Sequence, residues 1–560
     1  MPEGYGSAQE KQTNPTGFGR RAEVGFLAAL REAFSTGSSL LQFAQTSGIP
    51  ESTVRHWVTR AQATGAPPSF VRFVESPEGL EVLHRIVVAA IFVLTQVVGG
   101  GVRTVCLFLE LSGLWRVVAA GYGTQQEAVK SMEEAIVAFG VEEREQLAAK
   151  MPPHEITVTQ DETFHEQPCL VAIEPVSNFI LVEQYAQDRR AETWTAAMAQ
   201  GLRGLPVKVI QSTSDEGAAL RNAARDCGAH HSPDLFHPQQ DISRATSLPL
   251  QRQTDAAVQV ASEAAMQLTA LLDEADAYDA QPRGPGRPRD YDKRLAEADA
   301  ALKAAEAAIE QAKARREQVR QAARAISTAY HPFDLETGAV REAADVEKDI
   351  NKQMGVIDQI AMHVGLSARC LALLEKVRRV LPQMVATIAF VHTLIRHRIE
   401  ALDLAPKVDD IVQRQLIPIC YLEEVVRKAS TAEARKPLET SLVALRAALD
   451  EAGGPLNELT AEERDHVYRV AHECAQIFQR SSSNVEGRNG VLALRHHSIH
   501  ELTPRKLQAL TVVHNYATRR ADGTTPAERL FGQKHRDLFE HLVATLPPPK
   551  RPAARRTAAD

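Results

Sequence analysis

EITVTQDETFH, residues 155–165, is the stretch from which the fold is read. Ile156, Thr157, Val158 and Thr159 make a short apolar, β-branched run of the kind that forms a strand, and the run stops at an acid, Asp161. Two similar runs follow at once, PCLVAIEPVSN (168–178) and FILVEQYAQDR (179–189), so three short strands in a meander are expected. AETWTAAMAQGLRGL then reads as a helix, and PVKVIQSTSDEGAALRNAARD (206–226) as a strand that turns into a helix at Ser214-Asp215-Glu216-Gly217. HHSPDLFH (230–237) has room for one more short strand. Three strands, helix, strand, helix, strand is the order of a ribonuclease H-like α/β fold.

Around this segment the chain reads as helical. At 560 residues it has length for several domains, and an aromatic fraction of 5% suits helices packed through Leu, Ala and Val. The segments expected are a disordered start (1–20), a helical DNA-binding unit (21–66) and a second helical unit for DNA binding or dimerisation (67–150). The first part of the α/β core (151–240), an all-helical insertion (241–474), the second part of the core (475–535) and a basic, disordered tail (536–560) complete the order. Within the insertion, residues 291–327 carry a heptad. Leu295, Leu302 and Ile309 occupy one seam position and Ala298, Ala305, Ala312, Val319 and Ile326 the other, which predicts a tight helical hairpin or an oligomerising coiled coil.

A net charge of −7 excludes a protein that coats nucleic acid through bulk charge, although local basic surfaces remain open to it. From Glu486 onward, 13 Lys and Arg face 7 Asp and Glu. Six scattered cysteines without a Cys-x-x-Cys fit reduced thiols in a cytoplasmic protein, neither a disulfide frame nor a zinc site. The N-terminal residues lack a secretory apolar core, and the run IVVAAIFVL (86–94) is short for a bilayer, so no membrane association is expected and the run reads as a buried helix.

Residues 24–68 resemble a helix-turn-helix of the kind found in transposases and repressors. A sharp turn at Ser47-Gly48-Ile49-Pro50 leads into a helix that opens with a capping-type sequence, Glu51-Ser52-Thr53, has Val54, Trp57, Val58 and Ala61 on its core side, and presents Arg55, His56, Thr59 and Arg60 for a major groove. A helical hairpin packing a core is the plainer alternative. Between the insertion's first helices, QPRGPGRPRDYD resembles an AT-hook core at Gly286-Arg287-Pro288, with Arg289 following; a flexible basic linker reads equally from the same residues.

Asp161 and Asp215 end apolar strands that an α/β sheet would set side by side, at the edge where sites form. Each alone has a plain structural use: Asp215 could cap the following helix and Asp161 could simply end a strand. Together, 54 positions apart in this strand order, they point to hard divalent cations bound through carboxylate oxygen. SSSNVEGRNG (481–490) supplies a third acid, Glu486, at an apparent helix start among small residues.

With these residues the chain resembles a DDE-type transposase, a ribonuclease H-like core whose second and third acids are 271 positions apart. That interval is similar to the all-helical insertion of the hAT, Mutator-like and P-element-like groups and their bacterial relatives. Asp234-Leu235-Phe236-His237 matches their Cys/Asp-x-x-His signature, and Asn515, Arg519 and Thr525-Pro526 resemble a common transposase ending. All three tryptophans precede the insertion, a departure from the hAT pattern that puts a hairpin intermediate in doubt. The resemblance implies two Mg²⁺ or Mn²⁺ ions held by Asp161, Asp215 and Glu486, and cleavage at element ends followed by joining to target DNA. It also implies terminal-repeat DNA as partner, a homodimer or larger assembly, and a place at the nucleoid. His237 and Asp234 would support the site, and Arg488 would contact a phosphate or pair with a carboxylate. A ribonuclease H-like nuclease or resolvase, and a domesticated DNA-binding regulator, are the alternatives.

Overall fold

The computed structural model describes residues 19–552, apart from 63–64, 281, 283–288, 453 and 500. Its described residues are mostly helical and contain one mixed five-stranded sheet. The strands are β1 (His154–Phe164), β2 (Pro168–Glu174), β3 (Phe179–Tyr185), β4 (Val207–Ser214) and β5 (His230–Pro233), in the order β3-β2-β1-β4-β5. β1, β2 and β3 form the expected antiparallel meander, whereas β4 lies parallel to β1 and β5 parallel to β4. Parallel neighbours need crossovers, and the helices Ala191–Leu202 and Ala218–Asp226 supply them.

The strands read as continuous apolar runs because both faces of the sheet are covered. On β2, Leu170 and Ala172 join the core shared with the crossover helices and the Tyr122–Ala148 helix. Cys169, Val171 and Ile173 face the other way, against Val485, Leu492, Leu507 and Leu510. Those four come from the helices Ser483–Ser498 and Pro504–Tyr516, so the segment after the insertion closes one face of the sheet. At the exposed edge, the Asn515 amide takes the place of a neighbouring strand: it accepts from Ile180 N at 2.9 Å and donates to Ile180 O at 3.0 Å.

The insertion opens with a hairpin of two long helices, Phe236–Asp279 and Tyr291–Ala329. Its first helix begins five residues before the expected boundary at 241 because Phe236 follows β5 almost directly. The heptad seam packs within the chain: Ala305, Ala312, Val319 and Ile326 are buried, and Leu295, Leu302 and Ile309 half-buried. Ala343–Val364, Ala368–Glu400 and Ile417–Lys428 extend this bundle into one core with the hairpin's base.

At the front, the helices Arg20–Ser35, Leu40–Ser47 and Glu51–Gln62 pack around Leu27, Leu30, Ile49, Val54 and Trp57. Gly48 takes φ 70° in the turn, a conformation that glycine adopts without strain. The expected capping role for Glu51-Ser52-Thr53 is corrected: Glu51 is already helical, and Pro50 O accepts from Thr53 N and Val54 N. The capping box sits on the preceding helix, between Ser39 and Gln42.

Two further expectations are corrected. The run 86–94 lies within a longer helical stretch, Pro77–Val97, whose 21 residues are long and apolar enough to cross a membrane. Its most apolar window is 56% buried, and Val87, Val88, Ile91 and Phe92 pack into the core while Ile86 and Val93 are exposed. The tail is docked as far as it is described. Leu538–Thr545 is a helix, and the Arg551 guanidinium, 6% exposed, pairs with Glu75 at 2.6 Å and also with Glu23. Arg20 shares Glu75 at 3.1 Å, so charge pairing fastens the two ends of the described chain together. The rest of the expected disordered start and tail, 1–18 and 553–560, lies outside the described residues.

Candidate metal centre at the edge of the sheet

The β1–β4 register pairs Thr159 with Thr213. Asp161 and Asp215 each stand two residues further on, Asp161 within β1 and Asp215 just past the end of β4. β1 does not end at Asp161, as its sequence suggests; Asp161 still pairs with Val171 of β2 and the strand runs on to Phe164. β4 stops at Ser214, so Asp215 sits in the turn, where its Oδ1 accepts from Gly217 N at 2.9 Å. A Cβ on Gly217 would lie 2.8 Å from that same oxygen, so a side chain there would push the Asp215 carboxylate aside. Gly217 itself occupies the N-cap position of Ala218–Asp226, and Asp215 braces the turn before it.

Glu486 reaches this edge through a clamp built on Asp234. Both Asp234 oxygens are fully engaged: Oδ1 accepts from Phe236 N at 3.0 Å and Ser482 N at 3.2 Å, and Oδ2 from Ser482 Oγ at 2.9 Å, with His237 Nδ1 at 2.9 Å. Nearby, Gln479 O accepts from Thr213 Oγ1 at 3.1 Å, and Arg480 O from Leu235 N at 2.9 Å. The strand ends thereby fix residues 479–482, and the Ser483–Ser498 helix starts over β1 with Glu486 in its first turn. Of the small serines before Glu486, Ser482 is buried and tied to the clamp. Along the helix, Asn484 Oδ1 accepts from Thr159 Oγ1 at 3.0 Å, and Asn489 Nδ2 donates to Asp161 Oδ2 at 2.9 Å.

Ligand atoms of Asp234, His237 and Glu486 lie within 4.8 Å of one another. Asp234 has no lone pair to spare after four hydrogen bonds, so it positions its neighbours. His237 is held through Nδ1, and the bond to Asp234 raises its pKa, with Asp215 and Asp161 adding to the effect. The Asp161 carboxyl is pushed up to about 7, first by burial, with Glu486 and Asp215 contributing repulsion. Burial also raises Glu486.

The donors fit a hard divalent cation. Asp161, Asp215 and Glu486 offer carboxylate oxygen, and Asn489 Oδ1 is buried beside Asp161 without a hydrogen-bond partner in the protein. Two further acids escape the sequence reading. Glu162 accepts from the buried Trp194 Nε1 at 2.9 Å, and Glu216 lies 3.7 Å from Arg221; burial raises the pKa of both carboxyls. A second cluster, Cys420, Glu423 and His472, is a poor metal site: burial pushes the Cys420 thiol up to about 12 and Arg446 pairs with Glu423.

Arg488, expected to contact a phosphate or pair with a carboxylate, does the second. It is 9% exposed and meets both oxygens of the buried Glu183 of β3 at 2.6 Å. Far from the acids in sequence, Arg55, His56 and Thr59 are exposed on the third helix, with Arg55 paired to Glu51 and Thr59 Oγ1 bonded to Arg55 O. The Arg60 side chain and Arg287 lie outside the described residues. Arg289 is exposed at the hairpin tip, where its Nη1 meets Tyr291 Oη at 3.3 Å.

The model of a family of unknown function, DUF6399, matches residues 412–558, a stretch that contains Ser482, Glu486 and Arg488 but neither aspartate. Neither the curated proteins nor the solved structures contain a match to this chain.

Proposed function

We propose that this chain is a DNA transposase of the DDE type, with a ribonuclease H-like core split by the helical insertion. The observation that carries the reading is that Asp161 and Asp215 each lie two residues beyond the paired Thr159 and Thr213 of parallel β1 and β4, with Glu486 brought to the same edge across 271 positions by the Asp234–Ser482 clamp. The strand order β3-β2-β1-β4-β5, with only its first three strands antiparallel, supports the core assignment. The exposed Arg55, His56 and Thr59 on a helix that follows a glycine turn support DNA contact by the front unit.

Asp161, Asp215 and Glu486 would hold two Mg²⁺ or Mn²⁺ ions, which when bound polarise phosphate oxygens and lower the pKa of water. The protein's own groups prepare that site. Asn489 orients Asp161 through Oδ2, Gly217 N orients Asp215, and Asp234 fixes both the start of the Glu486 helix and the His237 ring. His237, with Nδ1 held by Asp234, balances the acids as a positioning residue. The activity is hydrolysis at the element's ends, then attack of the freed 3′-hydroxyl on target DNA at the nucleoid, by a homo-oligomer that bridges two ends.

The test uses pre-cleaved element ends taken from the flanks of the gene, a target plasmid and Mg²⁺. Joined products that vanish with EDTA are expected. Divalent-dependent cutting without joining would instead identify a nuclease or resolvase, and DNA binding without either would identify a regulator.

A further inference from the structure

Beside the acids, a cavity of about 810 Å³ opens between the sheet and the insertion. Its walls come from the β2–β3 turn, the end of the Tyr291–Ala329 helix, the end of Ile417–Lys428 and the start of Ser483–Ser498. Arg427, Lys428, Arg480 and Arg520 line it, against one carboxylate, Glu424. Arg427 is paired with that carboxylate. The other three are held mainly by neutral acceptors: Lys428 Nζ by Gln479 Oε1 at 3.1 Å, Arg480 Nη1 by Ser327 O at 2.9 Å and His331 Nε2 at 2.6 Å, and Arg520 Nη2 by Val176 O at 3.3 Å.

These bonds position the charges without neutralising them. Lys428 and Arg520 both have lowered pKa values, first from burial and then from the neighbouring cations as well as in spite of Glu424. Lys428 is exposed as a residue, while its ammonium is set into the cavity wall beside Gln479. A cluster of like charges kept together at this cost is a receptor for anions.

The cavity reaches the helix that carries Glu486, although none of Asp161, Asp215 and Glu486 lines it. Asn484 and Gly487, on either side of Glu486, both line it. Gly487 is exposed, and a Cβ there would meet no atom within 4 Å, so the ridge between acids and cations is bare. The volume is that of a pocket for one small ligand, too little for a duplex. The aromatic rings in its wall, Tyr421 and Phe478, are both 4% exposed and unavailable for stacking on bases.

We propose that this cleft binds the phosphodiester backbone of a single DNA strand as it leaves the acidic site, through Lys428, Arg480 and Arg520 and without regard to base sequence. The assignment rests on the reading of the acids as a DNA-cutting centre. It gives the insertion a second role beyond packing, as one wall of the channel for the strand.

The experiment measures fluorescence anisotropy of a labelled single-stranded DNA with the full chain in EDTA, over a series of KCl concentrations. Lys428→Gln, and separately Arg520→Gln, are compared with the parent, and Lys313→Gln on the hairpin surface is the control. Each lost phosphate contact lowers the salt slope by about 0.7 on a single strand, so Lys428→Gln and Arg520→Gln should each remove that much and weaken low-salt binding several-fold. The Lys313→Gln slope should equal the parent's, and thermal unfolding should be unchanged in all. Parental slopes in both cleft variants overturn the proposal, even if the parent cuts DNA. Tighter binding of an RNA strand through the same residues overturns the choice of DNA. Loss of slope in the variants together with a parent that never cuts would keep the cleft and refute the catalytic reading, whereas a parent that binds no DNA refutes both.

Discussion

On the proposed function, Asp215→Ala is expected to lower the rate of divalent-metal-dependent cleavage of element-end DNA by about a thousandfold or more and to leave the fold intact. The magnitude follows from the several kcal/mol of charge stabilisation that a bound metal gives a phosphoryl transition state, at 1.36 kcal/mol per tenfold. The fold is spared because Asp215 makes one bond within its turn, to Gly217 N, and Gly217 can still open the helix. Rates of plasmid nicking in Mg²⁺ and Mn²⁺, set beside circular dichroism of the same preparation, check both halves. A variant that cuts like the parent would remove Asp215 from the chemistry.

Arg488→Ala has the largest expected effect on stability, a loss of about 3–5 kcal/mol, because it strands the buried Glu183 without its partner. Glu183 also accepts from Thr511 Oγ1 at 2.6 Å, so the pair joins β3, the Glu486 helix and the helix after it. A fall in the urea midpoint is expected, with most of the loss recovered by Arg488→Met combined with Glu183→Leu, since apolar replacements leave no buried charge. Unchanged stability with lost cleavage would mean that Arg488 serves a phosphate after all.

The parts of the fold written in local period were legible. Short apolar, β-branched runs marked the strands at 155–189, and the heptad at 291–327 marked the hairpin seam, although spacing alone could not choose between a partner in the same chain and a second copy. The two aspartates were visible because each follows an apolar, β-branched run, although β1 continues past Asp161 to Phe164 and β4 stops one residue before Asp215. What escaped depends on partners far away in sequence. Nothing around Arg488 names Glu183, 305 positions earlier, and nothing around Asp234 names Ser482. The basic tail reads as disordered from its prolines, yet its Arg551 is buried because Glu75 and Glu23 stand opposite. Glu162 and Glu216 went unassigned because burial, which raises both, cannot be read from a single residue's neighbours in the chain.

The central claim is that acids from three separated parts of the chain form one metal centre. Mn²⁺ titration followed by electron paramagnetic resonance, on the parent and on Glu486→Gln, tests it most directly. The account predicts a spin-coupled Mn²⁺ pair in the parent and weaker, uncoupled binding in Glu486→Gln, because that substitution removes one carboxylate from the shared site. The same coupled signal in both proteins, or no Mn²⁺ bound by the parent, would contradict it.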